Sequence, residues 1–339
     1  MRNILVIGGA GFIGANIADR FARMGDSVTI FDNFSRLGSE PNVAWLHGTY
    51  PGIKVIRADI VRDITALNDA VASADIVIHL AAQVAVTTSV IDPRQDFEIN
   101  AIGTFNVLEA VRVSPTSPIL LFSSTNKVYG CLEHIPLIEE ESKYVFADSS
   151  LRGIDETTPL DFHSPYGCSK GAADQYVHDY SRIYKLRTIV FRQSCIYGER
   201  QFGIEDQGWV AWFLIAREKD KPITIYGNGK QVRDVLSVQD LGLAYELALK
   251  NINTTSGQIY NIGGGLANTV SILEFIAIVN GMGKTITASF ASERPGDQKI
   301  FVSNNSKAKA DFGWEPAVPA EEGIRRLSRW VRENRELFG

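Results

Sequence analysis

A glycine-rich turn near the amino terminus constrains the fold of this chain more than any other feature. Asn3 to Ile7 is a short apolar run rich in branched residues, typical of a buried parallel strand. It leads directly into Gly8-Gly9-Ala10-Gly11-Phe12-Ile13-Gly14 and then into a helical pattern that ends near Met24. This spacing permits a tight turn, close backbone approach to a pyrophosphate and close helix–strand packing, and the free N–H groups of the helix start favour phosphate. The context predicts a dinucleotide-binding βα unit rather than a glycine-rich turn without a ligand.

Acidic residues follow the next two predicted strands, at 27–31 and 54–57. Asp32 lies about 20 residues past the glycines, where a carboxylate accepts hydrogen bonds from the adenosine ribose and repels a 2′-phosphate. This favours NAD over NADP, although Arg36 nearby is also able to meet a phosphate, and Asp32 is alternatively a helix or turn cap. Asp59 is placed either to meet the adenine or to cap a helix that starts near Arg62.

The predicted strand at 75–79 ends in Leu80-Ala81-Ala82-Gln83, whose small residues let the backbone approach a cofactor. We interpret His79, at the end of that strand, as structural rather than catalytic. The helix that follows, from about Pro93 to Val113, carries Asn100, which we expect to be anchored as a polar group at the edge of the sheet.

A tyrosine and a lysine four residues apart form the candidate acid/base. Tyr166 and Lys170 share one face of a predicted helix, and a neighbouring ammonium favours phenolate and lowers the pKa of the phenol. The pair is therefore able to exchange a proton with an alcohol. Thr125 follows the strand predicted at 119–122, and hydroxyls at the carboxyl end of a parallel strand point into the ligand crevice. There it is able to bond a sugar hydroxyl beside Tyr166.

After a sixth strand at 188–192, the strand–helix alternation weakens. We expect a polar, irregular insertion from Cys131 to Asp161, a segment unlike a core helix at 201–212, and a hairpin formed by 223–226, the turn 227–230 and 231–235. Helical periodicity predicts helices at 238–250, 271–279 and 320–334. Arg233 and Arg294 are able to clamp a diphosphate.

Composition limits the function classes. The 339 residues carry a net charge of −5, which offers no basic surface for nucleic acid. Three cysteines without metal-ligand spacing are typical of reduced thiols in the cytoplasm, and we expect no metal site. No apolar run approaches the roughly 20 residues of a membrane span. The apolar stretch near the start of the chain is too short, and too often interrupted by glycine, for a signal peptide.

Together these features resemble the extended short-chain dehydrogenase/reductase superfamily, and more closely its nucleotide-sugar epimerases. The segments that carry the resemblance are 123–130, 161–176, 206–210 and 227–236. It implies an α/β fold: a Rossmann doubly wound parallel sheet with a smaller α/β carboxyl-terminal substrate domain. The implied domains are 1–190, which binds NAD and to which some later segments return, and 191–339, which binds substrate. The resemblance also implies tightly held NAD, a CDP-linked dideoxyhexose as substrate, and a homo-oligomer, either a dimer or a tetramer.

The resemblance assigns roles residue by residue. Tyr166 is the implied base, Lys170 holds the nicotinamide ribose and Thr125 bonds the reacting sugar. The implied cofactor-binding residues are Gly8, Gly11, Phe12, Ile13, Gly14, Asp32, Asn33, Ser35, Arg36, Asp59, Ile60, Leu80, Ala81, Ala82, Gln83, Asn100, Ser123, Tyr166 and Lys170. The implied substrate-binding residues are Thr125, Asn126, Gln193, Ser194, Gln201, Gln207, Trp209, Arg233, Arg294 and Asp297.

One departure discriminates within the superfamily. Nucleotide-sugar 4,6-dehydratases place Asp-Glu directly after the catalytic Thr, because eliminating water needs a further acid and base. Here those positions are Asn126 and Lys127, so the chain lacks the acid and base that dehydration requires there. Epimerisation at C2 of the sugar is expected from the resemblance alone. Epimerisation at C4, a net dehydrogenase with exchangeable cofactor, and a non-catalytic NAD-binding regulator remain open.

Overall fold

The chain divides into two compact units that interleave along the sequence. The computed structural model describes residues 1–294 and 297–338. Unit 1 comprises Met1–Thr125, Ser164–Arg192 and Tyr245–Tyr260. Unit 2 comprises Asn126–His163, Gln193–Ala244 and 261–338. The segment 126–163, which precedes the Tyr166 helix in sequence, therefore belongs to unit 2.

The described residues form fifteen strands and thirteen α-helices. The strands are β1 Asn3–Ile7, β2 Ser27–Asp32, β3 Lys54–Arg57, β4 Ile76–His79, β5 Ile119–Thr125, β6 Leu137–Glu139, β7 Tyr144–Phe146, β8 Thr188–Gln193, β9 Cys195–Tyr197, β10 Ile223–Tyr226, β11 Val232–Ser237, β12 Gln258–Ile262, β13 Thr269–Ser271, β14 Ala288–Ala291 and β15 Ile300–Phe301. The helices are α1 Phe12–Arg23, α2 Ser39–Thr49, α3 Ile64–Ala72, α4 Val86–Ile91, α5 Pro93–Phe97, α6 Gly103–Val113, α7 Ser164–Tyr184, α8 Trp209–Glu218, α9 Val238–Lys250, α10 Ile252–Thr255, α11 Ile272–Asn280, α12 Ser306–Phe312 and α13 Ala320–Glu333.

The central sheet confirms the predicted Rossmann fold. Its seven strands lie in the order β12-β8-β5-β4-β1-β2-β3, so the chain winds outward from β1 in both directions. The pairs β1–β2, β1–β4, β2–β3 and β4–β5 are parallel. Buried residues of α3, α6 and α7 share one hydrophobic core with these strands, which explains why the strands read as continuous apolar runs. β12 is an edge strand for which no prediction was made.

Two predictions for unit 2 were wrong. Strands β10 and β11 do not form a hairpin: β10 pairs with β14, whereas β11 pairs with β9, β13 and β15. The turn itself exists, because Gly227 and Gly229 have positive φ values of 80° and 77°, but it redirects the chain into another sheet. The region 201–212 contains the start of a core helix, since α8 begins at Trp209 and buries Val210 and Ala211.

Other predicted elements differ in detail. The predicted helix at 93–113 is interrupted by a π-helical turn, Glu98–Ile102, between α5 and α6. The polar insertion contains an antiparallel strand pair, β6 and β7. The helix expected from Arg62 begins at Ile64. The helices predicted at 238–250, 271–279 and 320–334 correspond to α9, α11 and α13. Among the described residues, no helix has both the length and the apolarity to cross a membrane.

Candidate active site

The glycine turn of unit 1 brings three backbone segments into van der Waals contact. A Cβ atom on Gly14 would lie 2.2 Å from the carbonyl oxygen of Gly8, and one on Gly8 would lie 2.5 Å from the amide nitrogen of Ala81. Gly8 also has a φ of +81°, which side chains other than glycine rarely adopt. Gly11 is the N-cap of α1, and because it has no side chain, no side-chain hydrogen bond caps the start of this helix. The first amides of α1, at Phe12 and Ile13, thus form a helix start suited to an anion.

Asp32 lies at the end of β2 against this turn. Its carboxylate accepts hydrogen bonds from the amides of Ala10 (3.0 Å) and Phe34 (2.8 Å). Burial raises the pKa of Asp32, and these backbone bonds oppose that effect. Asp32 therefore holds the turn in shape, and with backbone bonds from Ala10, Gly11 and Phe34 its carboxylate still keeps acceptor capacity for a ribose hydroxyl.

Several predicted cofactor-binding residues after β2 and β3 form one polar cluster. Asn33 donates from its side chain to the carboxylate of Asp59 (2.8 Å) and accepts from the amide of Ser35 (3.1 Å). Asp59 also accepts from the amide of Val61 (2.7 Å), so it caps a turn rather than α3. Ile60 is buried beside this cluster.

A buried amide and carboxylate network joins the loop after β4 to α7. Asn100, within the π-helical turn, accepts from the amide of Gln83 (2.9 Å) and donates to its carbonyl (3.0 Å), to Asp96 (3.1 Å) and to Ser169 (3.1 Å). π-Helical turns recur at functional sites. Here the turn positions Asn100 so that the 80–83 loop and the first turns of α7 are held together. His79 is fully buried with its pKa lowered to about 3 by burial, and it bonds Thr104, which gives it a structural role.

Tyr166 and Lys170 are both buried on α7. The Lys170 ammonium donates to the carbonyl of Ser123 (2.6 Å) and lies 4.2 Å above the ring of Phe122. The hydroxyl of Thr125 hydrogen-bonds the phenol of Tyr166 and lowers its pKa. The structure thus brings together the three residues that the sequence named as acid/base and sugar contact.

The expected electrostatic effect of Lys170 on Tyr166 is not what the structure shows. Burial raises the pKa of Tyr166 to about 12, the Asp96 carboxylate adds to this, and the groups that lower it are Thr125 and the guanidinium of Arg36. Burial also lowers the pKa of Lys170 to about 7. Burial therefore shifts the pKa of both groups toward the neutral form, because desolvation outweighs their charge partners.

A buried acidic residue on α7, Asp174, was not predicted as part of the site. Asp174 follows Lys170 by one more helical turn, is fully buried and pairs with Arg192 on β8 at 2.9 Å. It also accepts from Ser124 (2.6 Å), the residue before Thr125. The i, i+4, i+8 spacing of Tyr166, Lys170 and Asp174 was the available sequence signal. Its consequence is that α7 and the end of β5 are held together by a charge pair and a hydroxyl.

The predicted substrate residues other than Thr125 lie in unit 2. Asp297 pairs with Arg233 at 2.6 Å and with Lys127 at 3.7 Å. Arg294 pairs with Asp206 at 2.9 Å and stacks on the ring of Tyr226 at 3.8 Å. Burial and Arg233 lower the pKa of Lys127 to about 8. Three cationic side chains of unit 2, those of Lys127, Arg233 and Arg294, therefore lie beside the carboxylates of Asp297 and Asp206.

The insertion contributes to the same region of unit 2. Lys230 reaches back from the 227–230 turn to Glu139 (2.9 Å), and Asn228 donates to the hydroxyl of Tyr144 on β7 (2.8 Å). An open pocket lies there. It is lined by Tyr144, Tyr226, Gly227, Asn228, Gln231, Glu293, Arg294, Asp297, Gln298 and Lys299.

The remaining predicted substrate residues are engaged within unit 2. Asn126 donates to Gln298 (3.4 Å), and Ser194 hydrogen-bonds the buried carboxylate of Asp234. Trp209 donates from its indole to Cys195 and packs edge-on against Phe275 at 5.0 Å, so it belongs to the core of the unit. Gln193 and Gln201 are buried, and Gln207 pairs through its backbone with Ile204. Substrate contact by these residues stays a prediction.

The fold and the dyad on α7 place the chain in a known class, and comparison with known proteins agrees. Residues 5–327 match the family model described as GDP-mannose 4,6 dehydratase, and the chain belongs to that family of extended short-chain dehydrogenase/reductases. The predicted resemblance is thereby confirmed.

Individual relatives in this family include epimerases. A CDP-paratose 2-epimerase from Salmonella typhi is 44% identical over 337 residues, which cover 97% of this chain and 98% of the relative. Among solved structures, UDP-glucose 4-epimerase of Thermus thermophilus in complex with NAD is 31% identical, with a TM-score of 0.81 over 98% of this chain and 99% of that one. UDP-glucuronic acid 4-epimerase of Bacillus cereus, in complex with UDP-glucuronic acid and NAD, is 26% identical, with a TM-score of 0.83 and the same coverage. These relatives confirm the prediction of an enzyme of the nucleotide-sugar epimerase type.

Proposed function

We propose that this chain is an NAD-dependent epimerase that converts CDP-paratose to CDP-tyvelose by transient oxidation at C2 of the sugar. The observation that carries the proposal is the 44% identity, over essentially both full lengths, to a CDP-paratose 2-epimerase. The site supports the reaction type, because Tyr166, Lys170 and Thr125 form an intact proton-transfer group with no carboxylate in the two positions after Thr125.

The residues of unit 1 fit a dinucleotide. The close approach of Gly8, Gly14 and Ala81 leaves no room for side chains at the glycines, and the uncapped start of α1 offers amides to a pyrophosphate. Asp32 is held at the turn with lone pairs available to a ribose, and Lys170 is able to hold the second ribose. Bound NAD supplies the oxidation and the return reduction at the sugar carbon, together with a positive charge that favours phenolate.

The proposed work of the protein is proton transfer and orientation. Tyr166, as phenolate, takes the proton of the C2 hydroxyl and later returns a proton to the carbonyl oxygen of the 2-keto sugar, once the sugar has presented its other face for reduction. Thr125 bonds both the phenol and the sugar, which keeps the hydroxyl within transfer distance. We assign the diphosphate to Arg233 and Arg294 of unit 2. Because the redox change over a full turnover is zero, the dinucleotide has no need to leave.

Product analysis tests the proposal. We expect the purified enzyme to convert CDP-paratose to CDP-tyvelose, read by NMR of the products, and to leave UDP-glucose unchanged in a parallel incubation. Conversion of UDP-glucose to UDP-galactose without action on CDP-paratose would establish the 4-epimerase instead, a reaction that the Thermus neighbour makes the main alternative. Retained dinucleotide in the purified protein, measured by mass spectrometry, separates an epimerase from a dehydrogenase with exchangeable cofactor.

The glycine cradle provides a second prediction. In Gly14→Ala the new Cβ would meet backbone atoms at 2.2 and 2.6 Å, so we expect loss of bound NAD and a fall in the free energy of unfolding of about 1–3 kcal/mol. The matched control is Gly48→Ala in α2, where a Cβ meets nothing within 4 Å. That variant should keep both NAD and stability. Stoichiometric NAD in Gly14→Ala would contradict the cradle.

We also propose a cytoplasmic homo-oligomer, with a second copy seated on the outer faces of α6 and α7. Large apolar side chains are exposed there in unit 1, among them Phe105, Tyr176 and Ile183. Phe105 and Tyr176 already contact each other edge-on at 6.2 Å, so the face is continuous between the two helices. Such contiguous exposed patches mark association surfaces. The molar mass of the same preparation by light scattering reports the assembly.

A further inference from the structure

A cysteine, a histidine and an aspartate lie in series in unit 2, outside the residues that the proposed function uses. Cys131 Sγ is 3.0 Å from Nδ1 of His163. The other ring nitrogen of His163, Nε2, is 3.0 Å from the carboxylate of Asp161. This is the order of nucleophile, base and orienting acid that activates weak nucleophiles in many enzymes.

The backbone holds the three side chains in this arrangement. The amide of Asp161 donates to the carbonyl of Val128 (3.0 Å), which pairs the segment before Cys131 with the segment that carries His163. Gly130 has a φ of +67°, and a Cβ there would lie 2.2 Å from the carbonyl oxygen of Asp161. The close approach therefore depends on a glycine next to the cysteine.

The carboxylate decides which nitrogen of the imidazole is basic. Asp161 accepts from Nε2, which favours the tautomer with its proton there and leaves the lone pair of Nδ1 facing the sulfur. The His163 side chain is 43% exposed and that of Asp161 is 68% exposed, whereas Cys131 is partly buried. A small reagent is thus able to reach the sulfur from solvent.

The charges around Cys131 keep it a thiol at rest. Burial raises the pKa of the Cys131 thiol, whereas the ammonium of Lys127 lowers it. Three carboxylates add to the effect of burial: Glu133, Asp161 and Asp297. The sulfur consequently becomes a nucleophile only when a base removes its proton during bond formation, and His163 is placed to do so.

The other two cysteines lie in different surroundings. Burial raises the pKa of Cys195 to about 11, and its sulfur accepts the indole N–H of Trp209. Cys168 is exposed on α7. It serves as an internal reference for an accessible thiol in the same molecule.

We propose that Cys131 is a modification site for low-molecular-weight disulfides of the glutathione class, with His163 as general base and Asp161 as the residue that orients it. The sulfur of Cys131 attacks one sulfur of the disulfide while its proton passes to His163. The new S–S bond forms as the old one breaks, and the departing thiolate takes the proton, so one disulfide is consumed and one thiol is released. An acidic tripeptide on Cys131 would lie beside Lys127, which pairs with Asp297. Its effect on substrate affinity rests on the proposed function.

The test uses the full chain, glutathione disulfide as the probe, and peptide mass spectrometry of each cysteine over time. We expect Cys131 to form the mixed disulfide at least tenfold faster than Cys168. In His163→Gln, the Cys131 rate should fall at least tenfold while the Cys168 rate stays the same, and Cys195, which is buried in the folded chain, should stay unmodified if the variant is folded. Equal rates for the two cysteines in the wild type, or an unchanged Cys131 rate in His163→Gln, would overturn the assignment.

A pH profile of the wild type gives an independent readout without a variant. With a base that takes the proton during attack, the Cys131 rate should already be high in the neutral range, whereas an unassisted thiol gains rate mainly above pH 8. A Cys131 profile that rises only above pH 8 refutes the general base. None of these thiol-reaction measurements needs catalytic turnover, so their outcome is independent of the epimerase proposal. The effect of the modification on substrate affinity is measured separately, as a rise in KM for the nucleotide sugar.

Discussion

Tyr166→Phe is expected to retain its NAD and to lose turnover of CDP-paratose by about a hundredfold to ten-thousandfold, the usual contribution of a positioned acid/base. The phenol hydroxyl lies at the end of a buried contact with Thr125, and its removal leaves the ring that fills the space. Binding should therefore change little, since the lost interaction is used in the transition state. The measurements are NMR of the sugar product and mass spectrometry of released dinucleotide.

The control for this variant lies on the same helix. Tyr176 is 53% exposed on α7, and Tyr176→Phe should keep full activity per folded subunit. The pH dependence adds a second check. Because the base must be deprotonated and burial raises the pKa of Tyr166, the wild-type kcat/KM should rise with pH in the neutral range, and the residual activity of Tyr166→Phe should lose that slope. Full activity of Tyr166→Phe would remove this residue from the mechanism.

Asp174→Ala is expected to lower the free energy of unfolding by about 3–5 kcal/mol, the usual result of breaking a buried ion pair. The variant leaves the guanidinium of Arg192 buried, at 3% side-chain exposure, without its carboxylate. It also removes the acceptor of Ser124. Denaturant unfolding of the purified proteins measures the change.

Two further variants separate the ion pair from its surroundings. Asp179→Ala, which breaks the exposed pair of Asp179 with Arg182 on the same helix, should cost less than about 1 kcal/mol. Asp174→Leu combined with Arg192→Met should be more stable than Asp174→Ala, because an apolar pair leaves no buried charge. A double variant as unstable as Asp174→Ala would show that the loss comes from packing rather than from the unpaired guanidinium.

The local elements were predictable because each is determined by residues close together in the chain. The strand, the turn at Gly8 to Gly14 and helix α1 follow from a buried apolar run and from glycines at positions that exclude a Cβ. Helix α11 follows its N-cap Ser271, whose capping box with Glu274 is complete. The dyad of Tyr166 and Lys170 is a property of helical spacing alone. For the helix starts and the dyad the deciding interactions span about one helical turn, so the sequence contains them in full, whereas the space at Gly8 also depends on Ala81.

The errors concern contacts between residues far apart in the chain. The turn at 227–230 was identified correctly, but the partners of β10 and β11 are β14, β13, β15 and β9, and nothing in the turn specifies strands that are so distant in the sequence. Asp174 was overlooked because its partner, Arg192, lies on another element. The cation on Lys170 was expected to lower the pKa of Tyr166, whereas burial raises it to about 12.

The sequence by itself therefore determined the strand, glycine turn and helix at its start and the spacing of Tyr166 and Lys170, since each depends on local spacing and on side-chain chemistry; the doubly wound sheet followed from the resemblance to a known family. Only the tertiary structure decided which strands pair in unit 2, how α7 is fixed to β5, and in which direction burial shifts the pKa of Tyr166 and Lys170. Desolvation and ladder pairing depend on what surrounds a residue from every side, and that environment exists only once the chain has folded.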